Sequence, residues 1–215
     1  MTTLTEPAAD RHERLIVFTR YPEPGKTKTR LIPALGSVGA AELQRKMTEH
    51  LFNMVKDLAG QRNISLEVRF EGGTLEEMKG WLDNDLICQP QGDGDLGMRL
   101  QRAFAEAFAA GYPRVVAVGA DCPALSAETI GRAFELLKTA ALVLGPATDG
   151  GYYLVGLNRL SPEIFTDIPW GSDRVLAQTL GSARKLDMSV ALLEPLSDVD
   201  RPEDLNDLHH HTCAE

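Results

Sequence analysis

Long apolar runs, paired cysteines and an excess of positive charge are all missing from this sequence of 215 residues. No stretch approaches the roughly 18 consecutive apolar residues that a membrane span needs. Met1 to Glu13 is polar without an apolar centre, which predicts no standard export signal. Cys88, Cys122 and Cys213 are odd in number and none is spaced as Cys-x-x-Cys. That argues against a disulfide framework or a zinc cluster and predicts a reducing, cytoplasmic setting. The formal net charge of -9 opposes nonspecific binding to nucleic acid or an anionic membrane, because a negative field repels polyphosphate surfaces. Repeats and linker-like tracts are absent too, so one domain is expected over residues 14–208, between a disordered tail at 1–13 and a second tail at 209–215. His209, His210 and His211 fall in that second tail and read as a solvated chain end. Self-association into a homo-oligomer is left open.

Short apolar, β-branched runs are present at Leu15 to Phe18, Ile64 to Phe70, Leu86 to Cys88, Val115 to Val118, Ala141 to Leu144, Tyr152 to Val155 and Val190 to Leu193. They predict strands. Ala40 to Ala59, Leu96 to Ala110 and Ala127 to Thr139 carry apolar residues at three- and four-residue spacing and predict amphipathic helices. Such alternation predicts an α/β fold, a three-layer α/β/α sandwich with a mostly parallel central sheet and ligand sites at the carboxyl ends of its strands.

After the first strand comes Arg20-Tyr-Pro-Glu-Pro-Gly-Lys-Thr-Lys-Thr-Arg30, with four cations in a short stretch stiffened by two prolines. Gly25 permits a close backbone approach. In an extended segment Lys26, Lys28 and Arg30 would point the same way and converge on one anion, such as a diphosphate leaving group. Gly25-Lys26-Thr27 resembles the end of a Walker A loop, but Arg20 stands where that pattern needs its first glycine. Gly92, Gly94 and Gly97 satisfy Gly-x-Gly-x-x-Gly, yet Asp93 and Asp95 would set carboxylates beside a pyrophosphate, which argues against a dinucleotide site. Gln91, Asp95 and Arg99 are candidates for base or ribose contacts, with Asp95 alternatively capping the helix that follows.

Asp121 follows the strand Val115 to Val118, a position where a carboxylate can hold Mg²⁺ or Mn²⁺ against a diphosphate. Cys122, with no histidine nearby in sequence, reads as a packed small residue. Asp149-Gly150-Gly151-Tyr152-Tyr153 is either a plain hairpin turn or an acceptor loop in which Asp149 is a metal ligand or base and Tyr152 or Tyr153, with Trp170, shapes the acceptor pocket. Asp198 and Asp200 offer a further carboxylate pair, with Asp200 either a metal ligand or a helix cap before Pro202.

Phe18 to Leu31, Gly94 to Arg99, Gly119-Ala-Asp-Cys-Pro-Ala-Leu125 and Gly145 to Leu154 together resemble the DUF2064 family over nearly the whole chain. That family is similar to nucleotide-diphospho-sugar transferases of the GT-A fold, with members labelled glycosyltransferases, and looks related to molybdenum-cofactor and phospholactate guanylyltransferases. The resemblance implies phosphate contacts from Lys26, Lys28 and Arg30 and a metal-binding Asp121. Pro123 stands where a GT-A glycosyltransferase would have the second Asp of Asp-x-Asp, an arrangement closer to the nucleotidyltransferases. The expected activity is metal-dependent transfer of a sugar from a nucleotide-sugar donor to a small hydroxyl acceptor. Nucleotidyl transfer from an NTP to a phosphorylated molecule is the alternative, and nucleotide binding without chemistry a third.

Overall fold

Strands and helices alternate along residues 13–205, the part of the chain that this computed structural model describes. The elements are β1 (Glu13–Arg20), α1 (Ile32–Gln61), β2 (Ile64–Glu71), α2 (Leu75–Trp81), β3 (Ile87–Pro90), α3 (Leu96–Ala109), β4 (Val115–Gly119), α4 (Ala127–Leu136), β5 (Leu142–Pro146), β6 (Tyr152–Leu157), α5 (Val175–Lys185) and β7 (Val190–Leu192). Glu13 opens β1 and is buried, where the sequence reading placed it in a tail; His209 to His211 and Cys213 lie outside the described residues. Helix α1 begins earlier than the periodicity predicts. Its first turn is compatible with Pro33, and Gly36 at φ 70° breaks it from the regular helix that follows. Thr74, Asp95 and Ser126 cap α2, α3 and α4, each side chain accepting from a first-turn backbone N–H.

The strands form one sheet in the order β3-β2-β1-β4-β6-β5-β7. All neighbours are parallel except β6, which runs antiparallel to both β4 and β5. Residues 147–151 are too few to carry a crossover, so β5 and β6 can only form a hairpin. Helices α1, α2 and α4 bury one face of the sheet through Leu51, Phe52, Val55, Met78, Ile130 and Phe134 against Leu15, Val17, Val68 and Val116. Helix α3 covers the other through Leu100 and Phe104 against Ile16, Val115, Leu142 and Leu157, with Ala183 of α5 in the same cluster. These alternating in-and-out positions make the three layers.

The chain moves outward from β1 to β2 and β3, then returns across the sheet to place β4 on the other side of β1. Where that order reverses, the loops after β1 and β4 diverge and open a crevice at the strands' carboxyl ends. Because β6 is antiparallel, its first residues, Tyr152 and Tyr153, reach the same rim.

Candidate active site

At that rim lies a cleft of about 630 Å³, within the size range of small-molecule sites. One wall is built from the end of β1 (Thr19, Arg20), the loop Thr27 to Arg30, Glu71 at the end of β2, and Gln91, Leu96 and Arg99 around the start of α3. The facing wall carries Asp121 beyond β4, Asp149 and Gly151 in the β5–β6 turn, Tyr152, Tyr153, Trp170, Gly171 and Ser172, and then Asp198 and Asp200.

The basic loop is folded back on itself. Thr27 Oγ1 donates to the carbonyl of Tyr21 (2.9 Å) and accepts from Glu23 N–H (3.1 Å), while Gly25 turns the chain at φ 82°. Lys28 is left-handed (φ 49°), and Thr29–Leu31 form a short 3₁₀ turn. The extended clamp of three cations is therefore corrected. Lys26 points to solvent and pairs with Glu23 at 2.7 Å, away from the cleft. Lys28 runs inward instead, its side chain only 4% exposed, and its ammonium donates to the carbonyl of Val199 (2.6 Å) and meets Asp121 Oδ1 at 2.7 Å. Arg30 pairs with Asp200 Oδ2 at 2.5 Å. Val199 N–H donates in turn to the Asp121 carbonyl (2.9 Å), and Val199 packs with Leu31, Ala40 and Met47 beneath the cleft. The loop after β1 and the 198–200 segment are thus fastened together by polar contacts above an apolar cluster.

On the first wall Arg20 Nη2 (2.6 Å) and Arg99 Nη1 (3.0 Å) both donate to Glu71 Oε2. Burial works to raise the Glu71 pKa, but the two guanidinium hydrogen bonds outweigh it and hold the carboxyl below its ordinary range. Gln91 is buried, and its amide donates to the carbonyls of Thr19 (3.0 Å) and Arg69 (3.3 Å), which aims its own oxygen at Arg99 (3.0 Å). Four of the sequence-predicted residues, Arg20, Gln91, Arg99 and Arg30, therefore share this wall with Lys28.

Other predicted residues lie outside the cleft lining. Asp95 caps α3 through Met98 N–H (2.9 Å). A Cβ on Gly97 would stand 2.6 Å from the Phe165 carbonyl and 2.7 Å from Trp170 Nε1, so this glycine lets the indole lie against α3. Gly150, at φ 90°, is pressed against the backbone of Asp173, where a Cβ would come within 2.2 Å of the carbonyl oxygen. Gly25 serves the turn described above. Gly97→Ala is expected to destabilise the protein by about 1–3 kcal/mol through overpacking and to shift tryptophan emission as Trp170 is displaced, both read from a denaturation series followed by fluorescence. Retention of wild-type stability and emission would count against this placement.

Three of the four carboxylates on the facing wall, Asp121, Asp149 and Asp198, act on one another. Asp149 Oδ1 accepts from Gly151 N–H (2.8 Å), which fixes the side chain in the turn. The Asp198 pKa is raised, first by burial and then by the negative charge of Asp149, with Asp121 adding and Lys28 opposing. A carboxyl whose folded pKa is raised binds its proton more tightly in the native state, so stability falls as pH rises from the ordinary value of 3.8 through the raised one. Asp198→Asn in metal-free protein is accordingly expected to raise the Tm at neutral pH by about 1–3 °C, a gain that shrinks towards pH 4. An unchanged or lower Tm at neutral pH would contradict the crowding. Burial pushes the Cys122 thiol up to about 11, which keeps it protonated at neutral pH, and lifts the Tyr153 phenol to about 12.

Glu71 was absent from the sequence-predicted set although it directly follows the apolar run Ile64 to Phe70; in the structure it pairs with Arg20 in the β1–β2 register and ends its strand at the same rim. Ser172 carried no sequence signal. No helix of the described residues is long and apolar enough to cross a membrane.

The chain is similar to a candidate nucleotide-diphospho-sugar transferase from Desulfovibrio desulfuricans G20, with 34% identity over 94% of this chain and 88% of that one and a TM-score of 0.86. It shares its fold with 4-diphosphocytidyl-2C-methyl-D-erythritol synthase from Anaerococcus prevotii DSM 20548 (10% identity, 94% and 96% of the two chains, TM-score 0.62). The same holds for glucosyl-3-phosphoglycerate synthase from Mycobacterium tuberculosis, in complex with Mn²⁺, uridine diphosphate and glucosyl-3-phosphoglycerate (15% identity, 94% and 76%, TM-score 0.54). No curated protein matches the chain. The nucleotide-diphospho-sugar transferase fold that the sequence predicts is the fold observed. With the family of uncharacterized proteins conserved in bacteria, DUF2064, matching residues 54–172, the chain belongs to the DUF2064 family.

Proposed function

We propose that the protein is a divalent-metal-dependent glycosyltransferase that moves a sugar from a nucleoside-diphosphate sugar to a small hydroxyl acceptor. The observation that carries this reading is the meeting of cations and carboxylates at the sheet's switch point, with Lys28 and Arg30 set directly against Asp121 and Asp200. In the transfer, an acceptor hydroxyl oxygen attacks the anomeric carbon as the bond from that carbon to the diphosphate breaks. The electron pair leaves with the nucleoside diphosphate, and the hydroxyl proton passes to Asp149. Lys28 and Arg30 lie where they can meet the charge gained by the diphosphate. Gln91, Arg99 and the Arg20–Glu71 pair form the wall for base and ribose.

Among the described residues no three His, Cys, Asp or Glu side chains are grouped to hold an ion unaided. Oxygen donors nonetheless suit Mg²⁺ or Mn²⁺, which are commonly held by one or two carboxylates plus substrate phosphates. The crowded, half-buried Asp198 beside Asp121 fits such a cation, and these two would hold it, with Asp200 engaged by Arg30. When bound, the metal supplies charge neutralisation at the diphosphate. The Mn²⁺ and uridine diphosphate in the mycobacterial glucosyl-3-phosphoglycerate synthase are in keeping with this reading.

The test is a panel of nucleotide sugars with Mn²⁺, read by release of nucleoside diphosphate and by thermal shift. Donor-dependent release is expected from at least one nucleotide sugar. Absence of both binding and release across the panel sinks the proposal. Pyrophosphate release from an NTP in the presence of a phosphorylated acceptor would instead establish nucleotidyl transfer, the reading favoured by Pro123 beside Asp121.

A further inference from the structure

Residues 91–95 join β3 to α3 and bring Gln91 to the cleft, without regular structure of their own to hold it there. Gln91 is nonetheless fixed from several sides. Its backbone N–H donates to the Phe70 carbonyl (2.8 Å), and its side-chain amide uses both hydrogens, on the carbonyls of Thr19 (3.0 Å) and Arg69 (3.3 Å). A flipped amide would set its oxygen against those two carbonyls, so the side chain is locked as an acceptor on its other side. That oxygen accepts from Arg99 Nη1 (3.0 Å), and an amide oxygen has a second lone pair for a ligand N–H or O–H.

The backbone carbonyl of Gln91 is held from behind the cleft. Arg102 Nη1 donates to it, and Arg102 Nη2 donates to the Asp93 carbonyl (3.0 Å), so that one guanidinium fork grips the chain on both sides of Gly92. A Cβ on Gly92 would collide with Nη1, and its absence lets the fork close on the loop. Arg102 follows Arg99 by three residues on α3 but lies outside the cleft lining. Arg99 Nε meanwhile donates to the Gly94 carbonyl (3.0 Å). The loop is thus held by two arginines of one helix, the first facing the ligand space and the second behind it. Helix α3 is itself tied to the sheet by the buried Arg69, which pairs with Glu67 on its own strand and with Glu106 on the helix.

We propose that Arg102 is the positioning residue of the nucleoside end of the cleft: by holding the Gln91 and Asp93 carbonyls it keeps Gln91 Oε1 set as an acceptor beside Arg99, and so governs nucleoside affinity without touching the ligand. The assignment rests on the transferase reading above, which gives this wall to base and ribose. A guanidinium suits the task because its planar fork reaches two carbonyls at once, whereas an ammonium on a similar stem is a single point of charge. The phosphate end is fastened elsewhere, Lys28 to Asp121 and Val199 and Arg30 to Asp200. Loss of Arg102 therefore acts on the nucleoside and spares the phosphates, a split that a general loss of stability does not produce.

The experiment titrates uridine, cytidine, adenosine and guanosine diphosphates, and pyrophosphate, each with saturating Mn²⁺, into the full-length wild-type, Arg102→Met and Arg102→Lys proteins, with a thermal melt of each. For the nucleoside diphosphate that the wild type binds most tightly, Arg102→Met is expected to weaken binding about tenfold and Arg102→Lys by less, while pyrophosphate affinity stays within about twofold of wild type. In a Gln91→Met background Arg102→Met is expected to add no more than about twofold, since a residue that acts through another then has nothing left to position. Equal weakening of pyrophosphate and nucleoside diphosphate overturns the proposal. So does unchanged nucleoside diphosphate affinity in Arg102→Met, and so does the full loss persisting in the Gln91→Met background. Should Gln91→Met fail to fold, the comparison with pyrophosphate decides alone. Failure of the wild type to bind any nucleoside diphosphate is a different result, which removes the transferase reading and this assignment with it.

Discussion

Replacing Asp121 by asparagine is expected, on the proposed glycosyl transfer, to lower the rate about a thousandfold while leaving the fold intact, a loss equivalent to about 4 kcal/mol of transition-state stabilisation. The side chain stands just beyond β4, and the backbone carbonyl of the same residue accepts from Val199 N–H at 2.9 Å. That backbone bond survives the substitution, so the 198–200 segment keeps its anchor. What disappears is the negative charge that pairs with Lys28 and that the proposed metal would share. Stability should fall only modestly, because the Asp121 side chain is 54% exposed and solvent screens its half of the ion pair, and asparagine still offers an oxygen to the Lys28 ammonium. Nucleoside diphosphate release under saturating donor and Mn²⁺, beside a thermal melt, measures both effects. Activity within tenfold of wild type would remove Asp121 from the centre of the mechanism.

Lys28→Met should act in opposite directions on two ligands. The Lys28 ammonium sits 2.7 Å from the Asp121 carboxylate, so on the proposed metal-dependent mechanism a resident cation occupies the counter-charge the metal would use. Methionine preserves the length of the side chain and removes that competitor. Mn²⁺ titrated without nucleotide is therefore expected to bind about tenfold more tightly to Lys28→Met than to wild type, since an exposed or half-exposed ion pair is worth up to about 1 kcal/mol and a partly buried, charge-assisted one somewhat more. Nucleoside diphosphate in the presence of saturating Mn²⁺ should bind about 10–100-fold more weakly, because one charge-assisted contact to the phosphates is lost. A residue that only supported the loop would weaken both ligands together. Opposite signs identify Lys28 as the group exchanged between carboxylate and phosphate.

The strand pattern was readable because the buried strands carry near-continuous apolar runs that need no knowledge of their neighbours, and Asp121 was readable because it follows such a run directly. The backbone of the basic loop was not. Alternating cations suggest an extended segment only if nothing else competes for the lysines, and here Asp121 and Val199, both remote in sequence, draw Lys28 inward through a left-handed turn. Asp198 illustrates the same limit. Its crowding depends on Asp149 and Asp121, brought beside it by the antiparallel return of β6 and by the strand β7 that precedes it. Gly97 shows how a residue can fit a motif and serve another purpose. Its spacing matches a dinucleotide fingerprint, whereas its missing side chain makes room for Trp170.

The bonds from Lys28 to Val199 and from Arg30 to Asp200 span nearly the whole described chain. A ribosome delivers β1, its loop and β4 long before it delivers residues 198–200, although a domain generally folds as a unit. Until those residues emerge, Lys28 and Arg30 lack their final partners. The segment 198–200 both closes the apolar cluster around Leu31 and sets the charges of the cleft, so that the cleft's ion pairs wait on this one late segment.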